Sequence, residues 1–137
     1  MNIYFCGSIR GGRDLASVYK GLIEMLGTHG RVLTEHLGSD EEIERKDRIL
    51  TDKEIHDRDM QWIAASDVLV AEVTVPSLGV GYEIGRAIEM GKPVLCLFQE
   101  GSKHVLSAMI AGSDRVKTGY YGNLEEADLL FKKYLKG

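Results

Sequence analysis

Two carboxylates stand where helical periodicity would put apolar residues. In "ILTDKEIHDRDMQWIAA" the apolar stripe runs through Ile55, Trp62 and Ile63. Asp59, four residues after Ile55 and three before Trp62, falls on that stripe, whereas Asp57 and Arg58 are expected to point elsewhere. In "SLGVGYEIGRA" Glu83 follows Val80 by three residues and precedes Ala87 by four. An inward acid is costly unless it is hydrogen-bonded, paired or placed at a cavity. Two such acids beside one crevice fit glycosidic chemistry, in which one handles the leaving group and the other meets the sugar carbon. The plainer alternatives are a structural bond from Asp59 to a loop amide or an arginine, and a Glu83 that only complements the helix dipole. His56 borders the Asp59 face, as a partly buried helix histidine or as part of the site. No metal is expected: His29, His36, His56 and His104 lack zinc-ligand spacing, and no aspartate-rich calcium loop is present.

A second constellation is "GSIRGGR", Gly7 to Arg13, between a strand-like run and a helix-like one. Backbone N–H groups and the helix dipole favour an anion there. The glycines let the main chain approach a phosphate, Ser8 offers a hydroxyl, and Arg10 and Arg13 offer charge. A tight turn with solvated arginines is the alternative. The spacing is neither G-x-G-x-x-G nor a P-loop, which disfavours dinucleotide cofactors and NTP hydrolysis. Gly79 and Gly81 each cost about 1 kcal/mol against alanine inside a helix. Gly79 is read as letting the helix start approach a phosphate, and Gly81 as keeping room for a sugar or for close packing.

The elements that must position these groups alternate along the chain. Strands are expected at Asn2–Gly7, Arg31–Glu35, Asp67–Val73, Pro93–Phe98 and Arg115–Tyr121, and helices near Asp14–Thr28, Ile49–Ala65, Gly79–Met90, Val105–Ala111 and Leu124–Leu135. Asn123 caps the last of these, with Glu126 three residues on. The pattern predicts a single α/β domain, a Rossmann-like or flavodoxin-like three-layer sandwich on a five-stranded parallel sheet. The third and fourth strands, nearly continuous apolar runs, take central positions, and ligands bind at the carboxyl ends of such strands. The charged segment His36–Arg48 reads as a surface loop or a lid.

The 137 residues, 44% hydrophobic and 28% charged, carry a formal net charge of -4, which disfavours nucleic acid polymers and anionic membranes as partners. No signal peptide or transmembrane run is read, and Cys6 and Cys96 are expected to be buried reduced thiols, so a cytoplasmic location is expected.

The stretches "IYFCGSIRGGR", "LTEH", "IHDRD", "DVLVAEVTVPSLGVGYEIGRA", "LCLF" and "VLSAMI" together resemble the 2'-deoxynucleoside 5'-monophosphate N-glycosidase family, relatives of the nucleoside 2-deoxyribosyltransferases. The resemblance runs from Ile3 to about Ile110. It implies a homodimer that hydrolyses deoxynucleoside monophosphates to free base and 2-deoxyribose 5-phosphate, with no cofactor. By resemblance Glu83 is the nucleophile, Asp59 the general acid at the leaving base, and Tyr4 the group that orients the nucleophile. The phosphate contacts carried over are Ser8, Ile9, Arg10, Gly11, Ser77 and Gly79, within a loop that also holds Gly7 and Arg13. Ser107 is implied to complete the neighbouring subunit's site. Three readings share this scaffold: a deoxyribosyltransferase, a ribonucleoside monophosphate N-glycosidase, and a non-catalytic nucleotide-binding module.

Overall fold

Strands built from aliphatic residues without polar alternation need cover on both faces, and the arrangement of the chain supplies it. The computed structural model describes residues 1–9, 13–34 and 49–135; of residues 13 and 14 it describes the backbone alone. Five strands, β1 (Asn2–Gly7), β2 (Arg31–Val32), β3 (Val68–Glu72), β4 (Val94–Gln99) and β5 (Val116–Tyr121), form one sheet in the order β2-β1-β3-β4-β5. Every pairing is parallel. The described helices are α1 (Arg13–Leu26), α2 (Asp52–Ala65), α3 (Leu78–Glu89), α4 (Ala108–Ala111) and α5 (Leu124–Tyr134). This is the expected α/β three-layer sandwich, with β3 at its centre and the strand order of flavodoxin-like folds.

The period of two along each strand divides the core into two layers. Ile3, Phe5, Val68, Val70, Leu95 and Leu97 pack with Leu22, Leu26 and Phe131 of α1 and α5. Tyr4, Cys6, Leu69, Ala71, Val94 and Cys96 pack with Ile63, Val80, Ile84 and Ala87 of α2 and α3. Tyr4 thus shares a layer with the helices that carry Asp59 and Glu83, whereas Glu72, in phase with Val68 and Val70, turns to the opposite layer. Both cysteines are free and buried, as expected. Among the described residues no helix is long and apolar enough to cross a membrane.

Several element ends differ from expectation. The second strand, expected to reach Glu35, ends at Val32. There the Thr34 hydroxyl takes over the ladder, accepting from Phe5 N at 2.9 Å and donating to Phe5 O at 2.6 Å. The helix expected from Val105 begins only at Ala108, because Ser107 is its N-cap and accepts from Met109 N at 3.2 Å. In α5 Asn123 caps Glu126 N at 2.9 Å, but the Glu126 carboxylate reaches Gly122 N, one residue beyond the reciprocal position. The helix expected from Ile49 starts at Asp52, where Thr51 and Glu54 form a full capping box with both bonds at 3.1 Å. His36–Arg48, the segment read as a loop or lid, lies outside the described residues.

Loss of that box should be visible in folding. Thr51→Ala is expected to lower the unfolding free energy by about 1 kcal/mol in urea titrations, with the slope of the transition unchanged.

Candidate active site

The chain enters α3 through Pro76 and Ser77, and Ser77 caps the helix by accepting from Val80 N at 3.3 Å. That entry is held from the far layer of the sheet. Glu72, fully buried at the end of β3, accepts from Thr74 N at 2.7 Å and from the Tyr121 hydroxyl, and Thr74 Oγ1 accepts from Gln99 N at 2.9 Å. Burial pushes the Glu72 carboxyl up, while the Tyr121 and Thr74 bonds pull against it. Spacing along the sequence gives no sign of this bond, because the partner of Glu72 lies 49 residues away.

A cavity of about 440 Å³ opens where the β1 and β3 ends diverge, lined by Gly7, Ser8, Ile9, Pro76, Ser77, Leu78, Gly79, Val80 and Glu83. The structure therefore brings together five of the predicted contacts, from the turn after β1 and the N-terminus of α3, around Glu83. The N-terminus of α3 borders this space, and a helix start favours an anion. Gly79 keeps this wall low: a Cβ there would lie 3.9 Å from the Glu83 carboxylate and from Ser77 Oγ, ordinary contact. Gly7 has a different reason for lacking a side chain, since a Cβ would come within 2.7 Å of the Tyr19 ring. Gly81 keeps space that this chain leaves empty, with nothing within 4 Å of a Cβ. Arg10 and Gly11 lie outside the described residues, and Arg13 is placed only by its backbone, as the first residue of α1. Ser107 is not in this cavity. It lines an adjoining apolar groove of about 490 Å³ with Ser77, Leu78, Val105 and Met109.

Tyr4 rises from β1 and donates its hydroxyl to Glu83 Oε2. Burial is the main cause that pushes the Glu83 carboxyl up to about 7; the Tyr4 bond and the Arg58 charge lower it, and the Asp59 charge raises it. The Tyr4 phenol is driven well above its usual range by burial first and by the charges of Glu83 and Asp59 next. Tyr4 is thus a neutral donor fixed on one carboxylate oxygen, and the other oxygen stays available to the cavity.

Asp59 is partly inward as expected, its side chain 22% exposed. Arg58 does not point elsewhere. Its Nε donates to Asp59 Oδ1 at 3.0 Å while its guanidinium lies 4.8 Å from the Trp62 ring centre. A side chain of that length turns back along its helix when an adjacent carboxylate and an aromatic face both attract the cation. His56 is more exposed than its stripe position implies, and its ring bonds to Asp57 and to Tyr82 of α3. Tyr82 is not singled out by spacing, and its place beside Glu83 is the one signal that could have found it. Among the described residues no group of three or more His, Cys, Asp or Glu is placed to hold a metal ion.

The sequence profile described as nucleoside 2-deoxyribosyltransferase matches residues 3–129. The chain belongs to that family. Within the family's neighbourhood, a zebrafish (Danio rerio) protein named 5-hydroxymethyl-dUMP N-hydrolase is 57% identical over 82% of this chain and 79% of its own length. The mouse (Mus musculus) protein of the same name is 46% identical over 98% of this chain and 80% of its own. A solved structure of a Clostridium botulinum CMP N-glycosidase superposes with a TM-score of 0.63 at 18% identity, over 96% of this chain and 98% of that one, which shows the shared fold.

Two titrations follow from the Tyr4–Glu83 bond. In protein labelled at glutamate carboxyl carbons, the Glu83 resonance is expected to titrate with a midpoint near 7. Tyr4→Phe removes a bond that favours the charged form, so the midpoint should move upward; a downward shift would contradict the assignment of Tyr4 as donor.

Proposed function

We propose that the protein hydrolyses the N-glycosidic bond of 2'-deoxynucleoside 5'-monophosphates, releasing free base and 2-deoxyribose 5-phosphate. The observation that carries this reading is a carboxylate gripped at one oxygen by a neutral phenol, facing a cavity bordered by the turn after β1 and the N-terminus of α3. The names of the zebrafish and mouse relatives support it and put 5-hydroxymethyl-dUMP first among substrates to try.

The phosphate sits against Ser8, Ile9, Ser77 and Gly79, the sequence stretch that follows Ile9 also supplying Arg10, Gly11 and Arg13, and C1' then lies before Glu83. The free Glu83 oxygen attacks C1' as the bond to the base nitrogen breaks, and the electron pair leaves with the base, which takes a proton from Asp59. A glycosyl ester on Glu83 results. Water then adds to C1', its proton passes to the Asp59 carboxylate, and Glu83 is released, the two-step course of retaining glycosidases. Without a 2'-hydroxyl the oxocarbenium-like transition state forms more readily, which favours deoxyribose. No cofactor takes part.

A homodimer completes this reading. Leu78, Val105 and Met109 are 97%, 88% and 82% exposed around the groove that holds Ser107. Beside it the α3 face at Gly81 and Gly85 is open. A bare face of this kind on one helix fits a second copy of the chain, which would bring Ser107 to the neighbouring cavity.

Base release from a panel of deoxy- and ribonucleoside monophosphates and free nucleosides tests the activity, and no release from any deoxynucleoside monophosphate would overturn it. Base appearing on the sugar when a second base is added would favour the transferase. Glu83→Gln should lower kcat by about 1,000-fold or more with nucleotide binding kept, and Asp59→Asn by about 100-fold to 10,000-fold. Because Glu83 must be ionised to attack and Asp59 must hold a proton, kcat/KM should follow a bell-shaped pH profile, with one of its two midpoints near 7. Light scattering should give the mass of two chains, and Gly85→Arg should return one chain with reduced turnover.

A further inference from the structure

Beside the cavity, an ordered chain of side chains ties the helix of Asp59 to the helix of Glu83. The His56 Nδ1 lies 2.9 Å from Asp57 Oδ1, and its Nε2 lies 2.9 Å from the Tyr82 hydroxyl. Arg86 Nη1 donates to the same hydroxyl at 2.6 Å, and Lys53 Nζ donates to Asp57 Oδ2 at 2.5 Å. The ends of the chain fix its direction. An ionised carboxylate only accepts and a guanidinium only donates. Asp57 is held in its charged form by the Lys53 and His56 bonds, which lower its pKa. Nδ1 of a neutral His56 therefore carries the ring hydrogen, Nε2 accepts, and the Tyr82 hydroxyl donates to it while accepting from Arg86. The Arg86 guanidinium also lies 5.5 Å from the Tyr82 ring centre, and the His56 and Tyr82 rings are 5.6 Å apart, so each ring is held by contacts besides the hydrogen bonds.

We propose that His56 and Tyr82 are positioning residues, a clamp between α2 and α3 that sets the spacing of Asp59 and Glu83. His56 lies three residues before Asp59, about one helical turn, and Tyr82 directly precedes Glu83, so a bond between the first pair constrains the second. Neither residue lines the cavity, so the clamp acts through the two carboxylates rather than on substrate. The spacing matters because a carboxylate pair serves nucleophilic attack or water activation according to its separation. The inference rests on the N-glycosidase reading for its kinetic consequence but not for its geometry.

The geometry is tested without turnover. A long-range proton–nitrogen correlation spectrum of the parent protein at alkaline pH should show the Nδ1–H tautomer at His56, and Tyr82→Phe, which removes the donor to Nε2, should shift the Nε2 resonance while Asp57 keeps the tautomer. An Nε2–H tautomer in the parent, or an Nε2 resonance indifferent to Tyr82→Phe, overturns the clamp. The consequence is tested by kinetics. His56→Ala and Tyr82→Phe are each expected to lower kcat about tenfold with KM within about twofold. The double variant should be no worse than the poorer single one, and His56→Gln, whose amide oxygen can accept from Tyr82, should recover most of the rate. Independent losses that multiply, a loss confined to KM, or a fall in melting temperature with kcat unchanged would each overturn the positioning role. If the parent releases no base, the activity fails and the tautomer decides the clamp by itself.

Discussion

One hydrogen bond organises the site: the Tyr4 hydroxyl on Glu83. It joins the strand beside the centre of the sheet to the second turn of α3, and every other part of the cavity is measured from it. The phenol can reach because the pleat of β1 turns Tyr4 into the layer of α2 and α3. The carboxylate can receive it because Ser77, Gly79 and Val80 bring α3 in over the strand ends. Burial of the pair excludes water from one oxygen and keeps the other facing the cavity. A one-residue shift in β1 would send Tyr4 to the opposite layer and leave Glu83 without a partner.

The sheet holds a second tyrosine–carboxylate pair, Tyr121 with Glu72, on the opposite layer. The two pairs differ in what surrounds them. Glu72 also accepts a backbone amide and is sealed from solvent. Glu83 is partly exposed and borders a cavity. Glu72 fixes the turn after β3, and that turn delivers Ser77 and Gly79 to the cavity wall. The same bond type therefore seals one carboxylate away on one side of the sheet and leaves another open to a cavity on the other.

Much of this was legible in the sequence because the relevant rules are local. Alternation of apolar runs and amphipathic stretches gave the strand and helix order, and the three-and-four spacing put Glu83 and Asp59 inward. The end of β2 was not legible, since a threonine hydroxyl standing in for a strand amide looks like any strand threonine. Nor was the start of α4, because Ser107 reads equally as a helix residue or a cap. The return of Arg58 onto Asp59 depends on Trp62 as a platform, a three-body contact that a helical wheel does not resolve. Gly7 carried two meanings that spacing cannot separate, approach to an anion and room for Tyr19. The His56–Tyr82 contact joins residues 26 apart, on two helices whose relative placement only the folded sheet defines.

The raised Glu83 carboxyl also bears on the persistence of the fold. An acid that holds its proton more tightly in the folded chain than in the unfolded one contributes stability below about 4.5, and that contribution fades as the pH climbs to about 7. At neutral pH the charged form is thus a thermodynamic burden that the two core layers must offset. A buried acid at the edge of a cavity is commonly a poor choice for stability, and here that cost falls on a single side chain. Selection for robustness alone would replace it.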